Sequence, residues 1–283
     1  MANTSLHYFN GKYVPKDEIK LSIDDVGILR GYAIFDFFKA RGVTPIFIED
    51  HLARLTGSAQ QMNLRLPLSL GEIEDVIHVL LSKNALAYSS IKVIVTGGES
   101  ADGFSPGKPQ IIILNNPFSD PPEAIYKSGV SLMLHEYLRD LPQVKSTAYA
   151  RALSLQAEWN DAGHIDVLYH QNGLVSEVSR SNVYYFEGDT LRTNVVDVLQ
   201  GVTRKNVLKC AEELFNIQIA PIELSSLLAA EEVFITSSTK KVLPIVRIGE
   251  QPIGDGQVGG RTKKLMMAFE SYIDKYVAVK QCS

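Results

Sequence analysis

The sequence predicts a protein of two mixed α and β domains, the second with the more closed sheet. Short β-branched runs alternate with helical patterns along all 283 residues, a length that suits two ordinary domains. Residues 115–129, NNPFSDPPEAIYKSG, contain three prolines and several turn formers, as linkers do. We therefore expect an N-terminal domain over 1–118, a linker over 119–124 and a C-terminal domain over 125–283.

Composition limits the classes of function. Lys and Arg together number 28 and Asp and Glu number 32, so the formal charge is −4 and no basic surface for nucleic acid is expected. No apolar run approaches the roughly 18 residues of a membrane span, and the N-terminus does not resemble a secretion signal. Two cysteines have neither metal-binding nor disulfide spacing. We expect a cytoplasmic protein that binds no membrane, nucleic acid or metal.

The N-terminal elements follow from local patterns. Asn10 and Gly11 lie between two apolar runs, which is typical of a β-hairpin. The runs IFDFFKA and TPIFI predict paired strands, and a helix is predicted from Glu49 to Met62. Ser69 is the expected N-cap of the next helix, whose apolar residues recur at helical spacing: Ile73, Val76, Ile77, Leu80 and Leu81. The runs IKVIVTGG and KPQIIILNN predict two buried strands.

The C-terminal half predicts a second set of strands and helices. Strands are expected in GVSLMLHEY, IDVLYHQ, GLVSEVS, NVYYFEG, TLRTN, EEVFITSST and VLPIVRIG. Helices are expected from about Ser146 to Ala162, in GVTRKNVLKCAEELF, and in the closing GGRTKKLMMAFESYIDKYV.

Three parts of residues 141–204 carry chemistry. Lys145 offers an amine that can bond to a carbonyl compound, and Glu177 is a carboxylate in an apolar setting that can meet a ring nitrogen. Gly201 precedes a predicted helix whose first N–H groups can hold a phosphate. Together these parts describe a pyridoxal phosphate site.

From about Leu21 to Phe269 the chain resembles the fold-type IV (class IV) pyridoxal phosphate-dependent aminotransferase family, and its pattern is most similar to D-amino acid aminotransferases. Six motifs stand in the family's order: Asp25, Gly27, Gly31, Phe35 and Asp36; His51, Arg54 and Leu55; Lys145 and Tyr149; Glu177, Ser179, Ser181 and Asn182; Gly201, Val202, Thr203 and Arg204; Ser237, Ser238 and Thr239. The resemblance implies a small N-terminal α/β sandwich, a larger C-terminal domain with a barrel-like sheet, pyridoxal 5'-phosphate as cofactor, and a homodimer.

The resemblance also implies roles for single residues. Lys145 would bond to the cofactor and carry the substrate proton, and Glu177 would keep the pyridine nitrogen protonated. Arg54 would bind the phosphate as a bidentate donor. Tyr149, predicted one helical turn after Lys145, would either reach the ring hydroxyl or pack in the core. The remaining phosphate contacts would come from Val202, Thr203, Ser238 and Thr239.

The chain departs from the family where the substrate carboxylate binds. Phe35, Asp102 and Phe104 stand where D-amino acid aminotransferases have a tyrosine, an arginine and a histidine. Arg30 and Arg180 replace uncharged residues, and an unpaired buried guanidinium is costly. We expect Phe35, Arg30 and Arg180 to contact the substrate, with Arg30 coming from the neighbouring subunit.

The activity expected first is transamination between an α-amino acid and a 2-oxo acid. D-amino acids are favoured, and branched-chain L-amino acids are a further possible substrate. The alternatives are a branched-chain L-amino acid aminotransferase, an aminodeoxychorismate lyase, and a binding protein that keeps the fold without the chemistry.

Overall fold

A computed structural model describes residues 5–282. They form two compact units. The first unit consists of the chain up to Ser119, the short segment Val144–Ala148 and the chain from Tyr276 onward. The second unit consists of Asp120–Gln143 and Tyr149–Lys275. The segment with Lys145 thus belongs to the first unit, although it lies far along the chain; the predicted limits of the linker, 119–124, stay a prediction.

The first unit is built on an antiparallel six-stranded sheet in the order β2-β1-β6-β5-β3-β4. Its strands are β1 (Leu6–Phe9), β2 (Lys12–Pro15), β3 (Ala33–Arg41), β4 (Thr44–Pro45), β5 (Tyr88–Thr96) and β6 (Gln110–Pro117). Its helices are α1 (Val26–Leu29), α2 (Ile48–Gln61) and α3 (Leu70–Asn84), with a short 3-10 helix over Lys16–Glu18.

Local sequence explains much of this unit. The predicted hairpin is confirmed: Asn10 and Gly11 join β1 to β2 with φ values of 45° and 95°, and two positive φ values suit the strand twist. The predicted α3 is confirmed as well. Ser69 forms a capping box with Glu72, and all five predicted apolar positions of α3 are buried in the core of the unit. The helix predicted over 49–62 corresponds to α2.

The second unit is built on a ten-stranded sheet that curls into a half-barrel, which confirms the barrel-like sheet. Its strands are β7 (Val130–Glu136), β8 (Asp166–Gln171), β9 (Leu174–Val178), β10 (Asn182–Glu187), β11 (Thr190–Thr193), β12 (Asn216–Ile219), β13 (Ile222–Glu223), β14 (Glu232–Ser237), β15 (Lys241–Ile248) and β16 (Gln251–Pro252). The order is β12-β11-β10-β14-β15-β7-β8-β9-β13, and β16 pairs with β15.

The helices of the C-terminal half are short except for the last. They are α4 (Glu123–Ser128), α5 (Ala150–Ser154), α6 (Gln156–Asp161), α7 (Val202–Ala211), α8 (Leu224–Leu228) and α9 (Gly260–Gln281), whose end from Tyr276 belongs to the first unit. Within residues 5–282 no helix is long and apolar enough to cross a membrane.

The helix predicted from about Ser146 to Ala162 is wrong at its start. Residues 145–147 are extended beside β3: the Phe35 N–H donates to the Lys145 carbonyl at 2.9 Å, and the Thr147 N–H donates to the Ala33 carbonyl at 3.0 Å. Among residues 5–282, β4 pairs only with Ala40 and Arg41, so the other end of that strand edge is open to this segment. Helical structure begins at Ala150, after Tyr149 as the N-cap.

Candidate active site

Lys145 is held by backbone contacts within the first unit. Besides the pairing with β3, its own N–H donates to the Ser58 hydroxyl on α2 at 3.1 Å. The Nζ atom lies 4.6 Å from the centre of the Phe35 ring, a cation–π distance. The backbone of Lys145 is therefore fixed on both sides, by β3 and by α2.

A buried network lies on the same face of α2. Asp36, fully buried on β3, accepts from Arg54 Nε at 2.9 Å and from Arg54 Nη2 at 2.8 Å. His51 Nδ1 lies 2.6 Å from the same carboxylate, and the Phe38 ring stacks on the imidazole. Residues 51, 54 and 58 of α2 follow the i, i+3, i+7 spacing of one helix face. One face of α2 therefore carries both this network and the anchor of Lys145.

Opposing effects set the protonation of this network. Burial alone would raise the pKa of the Asp36 carboxyl, but Arg54 and His51 hold it well below its usual range. The pKa of His51 is lowered, first by burial and further by Arg54 and Lys145, against the pull of Asp36. At neutral pH the network therefore consists of a carboxylate, a guanidinium and a neutral imidazole.

Arg54 was predicted to bind phosphate as a bidentate donor. In the structure its Nε and Nη2 edge is bonded to Asp36, which leaves the Nη1 group for an anion. Asp36 thus orients Arg54. The sequence marked Asp36 only as a member of a family motif, and no role was assigned to Asp36 there.

Glu177 lies on β9 of the second unit and is 4% exposed. Its Oε1 accepts from Arg139 Nε at 2.6 Å, and its Oε2 accepts from the Leu199 N–H at 3.1 Å. Arg139 is fixed in turn through Nη2 on the Pro142 carbonyl, also at 2.6 Å. The buried carboxylate is therefore compensated and oriented. Sequence analysis did not find Arg139, because it lies 38 residues from Glu177 and outside every motif.

The start of α7 packs on Asn182. A Cβ at Gly201, the N-cap, would collide with Asn182 Oδ1, so a larger residue there would displace the Asn182 side chain. Asn182 Nδ2 donates to the Leu199 carbonyl at 2.8 Å. The preceding loop is held by buried Arg204, which donates to Gln200 Oε1 at 3.1 Å and to the Asn194 carbonyl at 3.0 Å. The first N–H groups of α7, which have no partner inside the helix, are thereby fixed in place.

The turn Ser237–Thr239 is joined to the same asparagine. Asn182 on β10 is the register partner of Thr236 on β14, and the turn begins at the next residue. Within the turn, the Ser237 hydroxyl lies 3.2 Å from the Thr239 hydroxyl and accepts from the Lys240 N–H at 3.1 Å. Asn182 thus links two of the predicted phosphate-binding parts, the start of α7 and this turn.

Three further residues were predicted to belong to the site: Tyr149, Arg30 and Arg180. Tyr149 is the N-cap of α5, and it packs against a small cluster around Trp159. Arg30 is an exposed C-cap of α1, where its Nη1 donates to the Leu29 carbonyl at 3.3 Å. The side chain of Arg180 is 53% exposed and donates through Nη2 to Asp166 at 3.2 Å. Arg180 therefore has a counter-charge within the chain itself.

The sequence resembles named aminotransferases over nearly its full length. It is 31% identical to a Methanocaldococcus jannaschii protein provisionally named a branched-chain-amino-acid aminotransferase, over 95% of this chain and 96% of that protein. It is 27% identical to a D-alanine aminotransferase of Staphylococcus epidermidis, over 95% of this chain and 98% of the relative.

Solved structures share the fold. The branched-chain amino acid aminotransferase of Escherichia coli aligns with a TM-score of 0.85 at 22% identity over 94% of this chain and 93% of the other. Another branched-chain amino acid aminotransferase, which aligns with a TM-score of 0.89 at 21% identity, was solved with pyridoxamine 5'-phosphate. A Legionella pneumophila protein, provisionally named a 4-amino-4-deoxychorismate lyase, aligns with a TM-score of 0.82 at 23% identity over 91% and 97%.

A model of the family of class IV amino-transferases matches residues 33–248, which include Lys145, Glu177 and the start of α7. The match spans well over half of the sequence. This chain therefore belongs to the class IV aminotransferase family.

Proposed function

We propose that this class IV aminotransferase uses pyridoxal 5'-phosphate to move an amino group between an α-amino acid and a 2-oxo acid. D-amino acids are the favoured substrates, and branched-chain L-amino acids are accepted as well. The observation that carries the proposal is the buried Glu177, which is fixed by Arg139 and by a backbone N–H. A buried carboxylate held in one orientation can stabilise a protonated ring nitrogen.

The residues of the second unit fit the cofactor's phosphate. The first N–H groups of α7, at Val202 and Thr203, lie at the positive end of the helix dipole. Ser238 and Thr239 add hydroxyl groups from the turn that Asn182 joins to this helix. Within the described chain the buried Ser181 hydroxyl has no hydrogen-bond partner, so a polar group from outside the chain suits this position.

When bound, the cofactor supplies an electron sink that makes the substrate Cα–H acidic. Lys145 Nζ would hold the cofactor and move the proton at Cα, and the Phe35 ring lies beside this amine. The Nη1 group of Arg54 adds a guanidinium contact to the phosphate. Tyr149 either meets the ring hydroxyl or serves the core.

The proposed substrate preference rests on three residues and on the names of two relatives. Phe35 lines the substrate position, and Arg30 and Arg180 bind its carboxylate. Both arginines are exposed, so most of their donors remain available to an anion. Arg30 serves the site of a neighbouring subunit in a homodimer. The names of the two relatives, one for D-alanine and one for branched-chain amino acids, support the two substrate classes.

The half-reaction with single amino acids tests the proposal. Purified protein loaded with the cofactor is mixed with D-alanine, L-alanine, D-leucine or L-leucine, and the visible spectrum is followed as the cofactor takes up the amino group. We expect the fastest change with a D-amino acid. A change with L-leucine alone would instead identify a branched-chain L-amino acid aminotransferase.

Two controls separate the remaining alternatives. Release of pyruvate from aminodeoxychorismate, without an amino acceptor, would favour the lyase. A protein that takes up no cofactor would refute the proposal and favour a binding protein with this fold. Light scattering of the purified protein tests the homodimer independently of its activity.

A further inference from the structure

Beside the turn Ser237–Thr239 lies a charged cluster of Asp166, Lys240 and Arg180, of which Asp166 and Lys240 belong to none of the six motifs. Asp166 is the first residue of β8 and is fully buried. Its Oδ2 accepts from Lys240 Nζ at 3.1 Å and from Arg180 Nη2 at 3.2 Å. Its Oδ1 accepts from the Val167 N–H at 3.0 Å and from the Ser179 hydroxyl. All acceptor positions of this carboxylate are therefore occupied.

The burial of Lys240 needs an explanation, because a lysine side chain rarely leaves water. That side chain is only 12% exposed, and burial lowers the pKa of its amine while Asp166 opposes the shift. A buried ion pair adds little stability, since apolar residues of similar volume often stabilise a fold at least as well. What such a pair does provide is position, because it fixes two chain segments in one geometry.

The ion pairs fix two turns near Asn182. One turn precedes Asn182 in the sequence, and the other follows Thr236, its partner on the neighbouring strand. Ser179 and Arg180 belong to the turn that leads from β9 into Asn182. Lys240 ends the turn that begins after Thr236, the register partner of Asn182. The carboxylate of Asp166 accepts hydrogen bonds from both turns and so ties them to one another.

The cluster also carries an excess of positive charge. Two cations, Lys240 and Arg180, share one carboxylate, so the cluster has a net charge of +1 when all three groups are ionised. It is bonded to the turn that supplies Ser238 and Thr239. A dianionic phosphate on that turn would be stabilised by this charge, and partial burial weakens solvent screening.

We propose that Lys240, through its ion pair with Asp166, is a positioning residue that holds the Ser237–Thr239 turn and its positive charge for the cofactor's phosphate. This inference rests on the proposed function. It predicts a phosphate-selective effect: Lys240 contributes to the binding of pyridoxal phosphate and contributes little to the binding of pyridoxal, which lacks the phosphate.

Binding to the apoprotein tests this selectivity. Pyridoxal phosphate and pyridoxal are titrated into wild type and Lys240→Met, and the visible absorbance gives both dissociation constants. We expect Lys240→Met to raise the constant for pyridoxal phosphate about tenfold or more and that for pyridoxal less than about twofold. Lys240→Arg, which keeps the charge, is expected to recover most of the loss.

Matched variants keep the result interpretable. Lys241→Met removes the neighbouring lysine, whose amine pairs with Asp120 and Glu270, and should leave the preference for the phosphate unchanged. If Lys240→Met does not fold, Lys240→Gln, which keeps a hydrogen-bond donor for Asp166 but removes the charge, carries the same expectation. Equal losses for both compounds, or none for either, would overturn the inference. A wild-type protein that binds neither compound would refute the proposed function itself.

Discussion

Two buried aspartates, each shared by two basic side chains, show how differently the same residue types are used in the two units. Asp36 meets Arg54 through two parallel hydrogen bonds, and its second partner, His51, is neutral. Asp166 meets Lys240 and Arg180 through one hydrogen bond each, and both partners are cations. The first network is balanced and holds one arginine in a fixed direction. The second retains a positive charge and ties two turns together.

The largest loss of activity is expected when Lys145 is replaced. Lys145→Ala is expected to lower kcat for transamination by about 10⁴-fold, because the amine proposed to move the proton at Cα is lost. The measurement is kcat with the best amino acid of the panel. Lys92→Ala is the matched control, since Lys92 Nζ lies 4.9 Å from the same Phe35 ring. The Lys92→Ala variant should keep the visible absorbance of the bound cofactor, which Lys145→Ala is expected to lose.

Removal of the Asp36 carboxylate breaks the balanced network. Asp36→Asn is expected to lower the free energy of unfolding by about 3–5 kcal/mol, because Arg54 is left partly buried without its counter-charge. Urea denaturation at pH 7 measures the loss.

The same variant has a pH signature. The folded-state pKa of Asp36 is depressed below its ordinary value of 3.8, so its stabilising contribution is present above that pH and is lost as the pH falls toward the lower folded-state value. The stability advantage of wild type over Asp36→Asn should persist through the neutral range and shrink as the pH falls below 4. A difference independent of pH would contradict the ion-pair account.

His51 should make the first unit sensitive to milder acid. Its pKa is lowered from 6.5, so the unfolded chain takes up the proton first as the pH falls, and stability decreases. The slope from this group is at most about 1.4 kcal/mol per pH unit. His51→Gln should flatten the dependence between pH 7 and 5 only in part, because the pKa values of His7 and His164 are also lowered by burial.

The smallest loss of stability is expected from Arg180, whose side chain is half exposed. Arg180→Ala should lower the free energy of unfolding by less than about 1 kcal/mol, since solvent screens the pair and Lys240 still compensates Asp166. If Arg180 binds the substrate carboxylate, KM for the amino acid should rise about tenfold with a smaller change in kcat. An unchanged KM would remove Arg180 from the substrate site.

Local patterns predicted the elements whose shape depends on near neighbours. Ser69 and Glu72 lie three residues apart, and the apolar face of α3 repeats within four residues, so the sequence contains the whole signal. The segment from Lys145 behaved differently. Its residues are compatible with a helix, yet an open strand edge at Ala33–Phe35 takes up its backbone groups, and that edge exists only in the folded protein.

The candidate site residues also divide into those that the sequence reveals and those that only the fold reveals. The sequence by itself determined which groups are present: Lys145, Glu177, Arg54 and the glycine before α7 could be named from motifs. Only the tertiary structure decided what directs them, since Asp36 meets Arg54 across 18 residues, Arg139 meets Glu177 across 38, and Lys240 meets Asp166 across 74. Motifs mark the residues that chemistry restricts, whereas a counter-charge can come from any segment that folding brings within hydrogen-bond distance.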